Sequence, residues 1–226
     1  MLYKDEDMTV LKDGFKVIQK KDGFRFSVDA VILSDFFSPN KAGKVLDIGT
    51  GNGIIPILLC VQKKSSNIVG VDIQEENTSL ARRNIELNNL DNCVEIINLD
   101  IKEYPKGNSF DYIVSNPPYM KIDGKKQNDV NSKAIARHEI KLNLEELVKT
   151  AKRLLKPVGS FTFIHRSYRF TEISKVLEES GFFIKRVKFV YFSKEKNSNL
   201  VLIEAWKGKK YKLEIEPPLF LEESGY

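Results

Sequence analysis

The chain has 226 residues, a formal net charge of +5 and a sequence pI near 9.0. Charged residues make up 30% and hydrophobic residues 42%, which suits a well-filled globular core and excludes a disordered chain. No apolar run approaches the roughly 20 residues of a membrane-spanning helix, and so mild a positive charge permits a polyanionic partner without requiring one.

The opening "MLYKDEDMTV" is acidic and polar and lacks the apolar stretch of a secretory leader, so a cytoplasmic protein is expected. "GFKVIQKKDGFRF" (14–26) reads as a hairpin, two short alternating runs about the turn dipeptide Asp22-Gly23. "SVDAVILSDFF" (27–37) follows as a helix with Ser27 at its N-cap. From residue 44 onward short apolar runs alternate with amphipathic ones. "KVLDIG" (44–49) is a buried strand, and "IIPILLCVQKK" is a helix that tolerates Pro56 because it falls in the first turn. "NIVGVDI" (67–73), "CVEIINLD" and "FDYIVSN" read as strands, with "EENTSLARRNIELNNL" as an amphipathic helix after the first of them. "LNLEELVKTAKRLLK" (142–156) is a helix, "GSFTFIH" a strand, and "RFTEISKVLEESG" a helix closed by Gly181. "FFIKRVKFVYF" and "SNLVLIEAW" are β-rich runs with no helical crossover between them, so they pair antiparallel. The tail "EIEPPLFLEESGY" reads as an extended segment laid on the surface.

Alternation of this kind predicts a doubly wound, mostly parallel α/β sheet ending in an antiparallel hairpin. Three parts are expected in a single domain spanning 1–226: an N-terminal hairpin and helix (1–43), a Rossmann-like core (44–206) and a tail (207–226). Cys60 and Cys93 are the only cysteines, lie in apolar segments and form no CxxC pair, so they read as free buried thiols. His138 and His165 are the only histidines and no ligand spacing accompanies them, so no metal is expected. Basic residues cluster at Lys121, Lys125 and Lys126, at Lys185, Arg186 and Lys188, and in "KGKKYK" (207–212); each cluster alone reads most simply as a solvated face.

In open α/β sheets ligands sit at the carboxyl ends of the strands. Four successive ends here carry glycine, proline or polar residues. "VLDIGTGNG" (45–53) has Gly49, Gly51 and Gly53, which suit a sharp turn and a close ligand. It is not GxGxxG, since Ile54 stands where the third glycine belongs, so the pyrophosphate fingerprint is absent. Asp72 ends the next strand, where a carboxylate can accept both hydroxyls of a ribose or simply cap a helix. Asp100 ends the third, either as a ligand or as a turn former. "SNPPY" ends the fourth. Proline donates no backbone hydrogen bond, so Pro117 and Pro118 belong beyond the ladder. Four such ends in succession point to one site more readily than to four separate turns.

These motifs, "VLDIGTGNG", "VDIQ", "NLDI" and "SNPPY", resemble in order those of S-adenosylmethionine-dependent methyltransferases with the seven-stranded Rossmann-like fold. The Asn-Pro-Pro-Tyr form marks enzymes that methylate a planar amine or amide nitrogen. "FRFSVDAVILSDF", "ARHE" (136–139) and "PPLFLEESGY" extend the resemblance to the bacterial tRNA(Val) N(6)-adenine methyltransferases, across nearly the whole chain. The resemblance implies S-adenosylmethionine as cofactor and the adenine 3′ of the anticodon of a valine tRNA as target. It implies that Asp47, Gly49 and Gly51 hold the methionine end, Asp72 and the adjoining Ile73 the ribose side, and Asp100 with Ile101 the adenine ring. Phe26, Ser27 and Asp29 would close the methionine side, and a plain N-cap remains open for Ser27. Asn116, also expected to border the cofactor, and the Pro117 carbonyl would accept the two amine N–H bonds, with Tyr119 stacked on the base beside Pro118. Arg137 and Glu139 are candidates for the substrate side, Lys125 and Lys126 for the RNA backbone. The expected assembly is a monomer acting on RNA, with no membrane and no metal. The same chemistry on ribosomal RNA guanine, DNA adenine or a protein glutamine is the alternative, and a non-catalytic nucleotide-binding module is the alternative of another class. Against these, only about 43 residues precede the glycine strand, too few for the separate helical domain of the glutamine enzymes.

Overall fold

The computed structural model describes residues 2–11, 14–21, 28–118 and 142–225. The core strands are β3 (Val45–Ile48), β4 (Ile68–Asp72), β5 (Val94–Asn98), β6 (Phe110–Ser115), β7 (Leu155–Arg166), β8 (Phe182–Tyr191) and β9 (Leu200–Lys207). They lie side by side in the order β5-β4-β3-β6-β7-β9-β8. β5 to β7 run parallel, and β9 is inserted antiparallel to both β7 and β8. The doubly wound sheet with a terminal antiparallel hairpin is thus as expected. The strand count differs. Two further two-residue strands, β10 (Glu214–Ile215) and β11 (Leu219–Phe220), pair parallel with β8, so the sheet has nine strands among the described residues.

Among the described residues, helices α1 (Val28–Phe36), α2 (Ile54–Val61) and α3 (Glu75–Leu87) cover one face. α4 (Leu144–Leu154) and α5 (Phe170–Glu179) cover the other. Strand periodicity of two divides the apolar residues between the faces. Val45, Ile68 and Val114 meet Ile32, Leu33, Ile57 and Ile85, while their chain neighbours Leu46, Val69 and Ile113 meet Leu147, Ala151, Leu154 and Leu177. α4 starts in a full capping box. The Asn143 side chain accepts from the Glu146 amide and Glu146 accepts from the Asn143 amide, each at 3.0 Å.

Two segments depart from expectation. The N-terminal hairpin pairs β1 (Glu6–Val10) with β2 (Lys16–Lys20), so its turn lies between residues 10 and 16. The chain carries Lys-Asp-Gly twice, at 12–14 and at 21–23; Gly14, in the connection between β1 and β2, has φ 81°. Asp22 and Gly23 lie outside the described residues. The tail is also more than a surface strap. Glu216, between β10 and β11, holds Arg186 at 2.7 Å and Lys188 at 2.8 Å, and Arg186 also donates to Glu204 at 2.6 Å and to the Phe36 carbonyl at 2.9 Å. Half-buried Glu216 and buried Glu204, sharing Arg186, therefore hold the tail on the β8 edge and tie it to the end of α1. Cys60 and Cys93 are unbridged, as expected, but half-buried rather than fully so. Burial pushes the Cys60 thiol up to about 12, with Cys93 beside it adding to the rise.

A candidate active site at the carboxyl edge of the sheet

The parallel strands all deliver their C-terminal ends to one edge. Ile48 at the end of β3 is in register with Val71 of β4 on one side and with Ser115 of β6 on the other. The next residues along the chain are therefore the glycine loop, the Asp72 corner and Asn116, on neighbouring strands about 4.8 Å apart. The Ser115 hydroxyl donates to the Ile48 carbonyl at 2.9 Å and locks the centre of this edge.

The loop 49–53 is held by its backbone. The amides of Gly49 and Thr50 donate to the Val71 carbonyl at 2.9 and 3.0 Å. The Gly51 amide donates to Asp72 Oδ2 at 3.0 Å, and the Gly53 amide to the Thr50 carbonyl at 2.9 Å. Gly49 and Gly51 both have positive φ, 76° and 56°, and nothing lies within 4 Å of where a Cβ would stand at either. A side chain would therefore strain the backbone and intrude on the open space above the strand ends.

Asp47 sits beneath that loop with none of its surface exposed. Neither carboxylate oxygen makes a hydrogen bond of normal geometry, although the Thr50 hydroxyl lies near enough to ease its charge, and neither that hydroxyl nor the Asn52 amide nitrogen finds another partner among the described residues. Buried polar atoms are nearly always paired, so three orphaned side chains around one loop mark a place built for a polar ligand. Burial pushes the Asp47 carboxyl up to about 7; the nearby Thr50 hydroxyl offsets part of the rise and the Asp72 charge adds a little to it. A bound cation would supply the missing partner.

Asp72 is also buried. Besides the Gly51 amide it accepts from the Gln74 amide at 2.9 Å and from the Asn77 side chain at 3.2 Å. It thus braces the glycine loop against the start of α3, whose N-cap is Gln74. Ile73 beside it is 38% exposed, an apolar side chain at the mouth of a polar corner. Asp100 caps the 3₁₀ turn Ile101–Glu103 by accepting from the Lys102 amide at 3.0 Å, so its turn-forming role is real. The Ile101 side chain is buried in the core, which leaves only its backbone to offer a ligand. Pro117 is buried, and Asn116 and Pro118 are half-buried. Asp29 lies half-buried in the first turn of α1, and no described side-chain hydrogen bond joins it to the loop. Phe26, Ser27, Tyr119, Lys125, Lys126, Arg137, His138 and Glu139 lie outside the described residues.

Residues that motif reading passed over also build this site. Asn84 of α3 is fully buried. Its side chain donates to the Asn52 carbonyl at 2.9 Å and to the Ile18 carbonyl at 3.0 Å, and accepts from the Ile18 amide at 2.7 Å. It joins the glycine loop to the N-terminal hairpin. Gly70 in β4 leaves room for Thr50, since a Cβ there would come within 2.7 Å of the threonine hydroxyl. A polar residue on the buried face of an amphipathic helix is a legible signal for Asn84, whereas nothing local marks Gly70. His165, near the end of β7, is buried and neutral, because burial pushes its imidazole down to about 3. It is no base for catalysis near neutral pH.

A doubly wound sheet with orphaned and buried carboxylates under a glycine loop, followed by Asn-Pro-Pro at the adjoining strand end, defines an S-adenosylmethionine-dependent methyltransferase. The chain belongs to the methyltransferase small domain family, whose model matches residues 26–190. It is 33% identical over 151 residues to the tRNA1(Val) (adenine(37)-N6)-methyltransferase of Bacteroides thetaiotaomicron, a match covering 66% of this chain and 63% of that protein. The protein of that name from Dyadobacter fermentans is 24% identical over 92% of this chain and 87% of its own length. Among solved structures, Methanocaldococcus jannaschii TYW2 in complex with AdoMet superposes with a TM-score of 0.62 at 15% identity, covering 91% of this chain and 87% of that one, a likeness of fold.

Proposed function

We propose that this chain methylates the exocyclic N6 amine of an adenine in tRNA, the adenine 3′ of the anticodon in a valine tRNA, and that it works as a single-domain monomer. The named activity of its relatives supports the target. The observation that carries the chemistry is the register of Ile48 with Ser115, which sets the cofactor loop and Asn116 on adjacent strand ends.

S-adenosylmethionine supplies an activated methyl on a sulfonium and carries an ammonium at its methionine end. The residues present fit it. Asp47, with Gly49 and Gly51 around it, takes the methionine end, where an ammonium supplies the missing partner of a buried carboxylate. Asp72 takes the ribose hydroxyls, Ile73 covers the sugar and ring, and Asp100 with the Ile101 backbone flanks the adenine. Phe26, Ser27 and Asp29 close the methionine side.

The amine of adenine is a weak nucleophile because its lone pair is delocalised into the ring. Asn116 Oδ1 and the Pro117 carbonyl accept its two N–H bonds and favour the pyramidal nitrogen of the transition state. Two prolines and the buried Pro117 ring hold these acceptors in place, so little reorganisation accompanies the reaction. Tyr119 and Pro118 pack on the base, and Arg137, Lys125 and Lys126 contact the RNA. No strong base is required, since the methylated, cationic amine loses its proton readily.

Asn116→Ala is expected to leave S-adenosylmethionine affinity near wild type and to slow single-turnover methyl transfer to unmodified tRNA by about a hundredfold or more. Transfer at the wild-type rate would reduce the proline motif to a turn and end this mechanism.

A further inference from the structure

The edge that carries Asn116 also presents an aromatic surface that the cofactor site does not use. Phe163 of β7 is in register with Ser115, and three residues later Arg166 faces Leu200 of β9, whose other partner is Val190 of β8. The turn Ser167–Arg169 and the connection 192–199 therefore emerge together, about 10 Å along the strands from the level of Ser115. On them Tyr168 is 73% exposed and Phe192 is 52% exposed.

Single exposed apolar residues need no explanation. Here two features add to the exposure. The turn under Tyr168 is fixed on both sides: the Ser167 amide donates to the Asn199 carbonyl at 3.1 Å, and Arg166 donates to the Asn199 side chain at 3.0 Å. Arg169 is buried and holds Glu172 through two contacts, at 2.8 and 3.0 Å. The Tyr168 ring is thus presented outward from a rigid mount, which lowers the entropy lost on stacking. The second feature is charge. Lys196 Nζ stands 4.5 Å from the centre of the Phe192 ring, and Lys194 stands 5.7 Å from the Phe220 ring while pairing with Glu223 at 2.7 Å. Glu195 is the one carboxylate within residues 192–199, and the Ser193 hydroxyl is its partner.

We propose that Tyr168 and Phe192 form a stacking platform for unpaired RNA bases that flank the adenine drawn into the site. The inference rests on the RNA substrate proposed above. Flat ring faces suit bases of any sequence, and Arg166 and Lys196 beside them suit the phosphates between those bases, Lys194 being held by Glu223. The cations favour a single-stranded polyanion over an apolar protein partner. An adenine displaced from its stack leaves its neighbours exposed, and a platform beside the catalytic edge gives them a new partner.

The test compares Tyr168→Ala, Tyr168→Phe and Phe192→Ala with wild type in titrations of an unmodified tRNA transcript and, separately, of S-adenosylmethionine. Both alanine variants are expected to weaken tRNA binding on the order of tenfold or more, with cofactor affinity and melting temperature held, and Tyr168→Phe to bind as wild type because the ring remains. Wild-type tRNA affinity in both alanine variants, in a protein that still methylates tRNA, would overturn the platform and leave the proposed function standing. A wild-type chain that transfers no methyl to tRNA would overturn both. Loss of self-association in the variants with tRNA affinity unchanged would assign the rings to a second copy of the chain and likewise overturn the platform.

Discussion

At the scale of single residues, Asp47 makes the sharpest statement about pH. Its folded value of about 7 stands above its ordinary 3.8, so the folded chain holds this proton more tightly than the unfolded one. The stability this contributes is fully present below about pH 4. It is lost as pH rises toward 7, and above that the buried charge is a constant cost. Asp47→Asn removes the titration while keeping the shape. Without cofactor, the variant should gain stability over wild type as pH rises from 4 to 8, by up to about 4 kcal/mol at 1.36 kcal/mol per pH unit. Near pH 4 the two should converge. Urea denaturation across that range is the measurement, and parallel curves for the two proteins would show that Asp47 does not titrate in this window. The same variant should bind S-adenosylmethionine more weakly, since the carboxylate that meets the ammonium is gone. Asp47 was legible as a member of a motif, but its strain was not. That strain comes with the glycine loop, which Val71 and Asp72 of β4 hold in place over it, and no local pattern records this.

At the scale of elements, the docking of the N-terminal hairpin on α3 is the contact with most to lose. Asn84 and Asn88, one helical turn apart, pair with the backbone of Ile18 and Lys16, two residues apart on β2. The helix thereby completes the hydrogen bonding of an edge strand. Arg83 adds a two-pronged pair with the buried Glu6, at 2.6 and 2.9 Å, and lies over the Tyr3 ring at 4.4 Å. Arg83 holds the Glu6 carboxyl below its usual range, chiefly through this hydrogen bonding. Asn84→Ala leaves both Ile18 backbone groups and the Asn52 carbonyl without that partner, a loss of roughly 3 kcal/mol at the usual cost of buried unsatisfied groups. Hydrogen exchange should quicken at β1 and β2 together and at the glycine loop, while β6 and β7 stay protected. Unchanged protection at residues 16–20 would mean that the hairpin holds without α3. The helix itself was plain in the sequence from its apolar period. Its use as a clamp was not, because a buried asparagine does not name the strand it grips, here 66 residues away in the chain.

At the scale of the molecule, the basic clusters divide by their partners. Arg186 and Lys188 are neutralised by Glu204 and Glu216, so they hold the tail rather than an RNA. Lys209 and Lys210 are exposed, each near a ring: Lys209 lies 4.8 Å from the centre of Tyr211 and Lys210 lies 5.4 Å from that of Phe183. They follow β9 at the opposite end of the sheet from Asn116. Replacing both with glutamine should reduce the slope of log affinity against log salt for tRNA by between about one and two, the value for two phosphate contacts. An identical slope would return them to a solvated surface. The sequence by itself determined the alternation of strands and helices, the antiparallel final pair and the four strand ends that bear the chemistry, because these depend on period and on residues adjacent in the chain. It did not show that residues 6–10 pair with 16–20, and it left the tail unpaired because its partner β8 is remote along the chain. Only the tertiary structure decided that β9 enters between β7 and β8, that Asp47 lies without a partner, and that Asn84 spans loop and hairpin. Burial and register are properties of what packs against a residue, and neighbours in space are set by the whole fold rather than by neighbours in sequence.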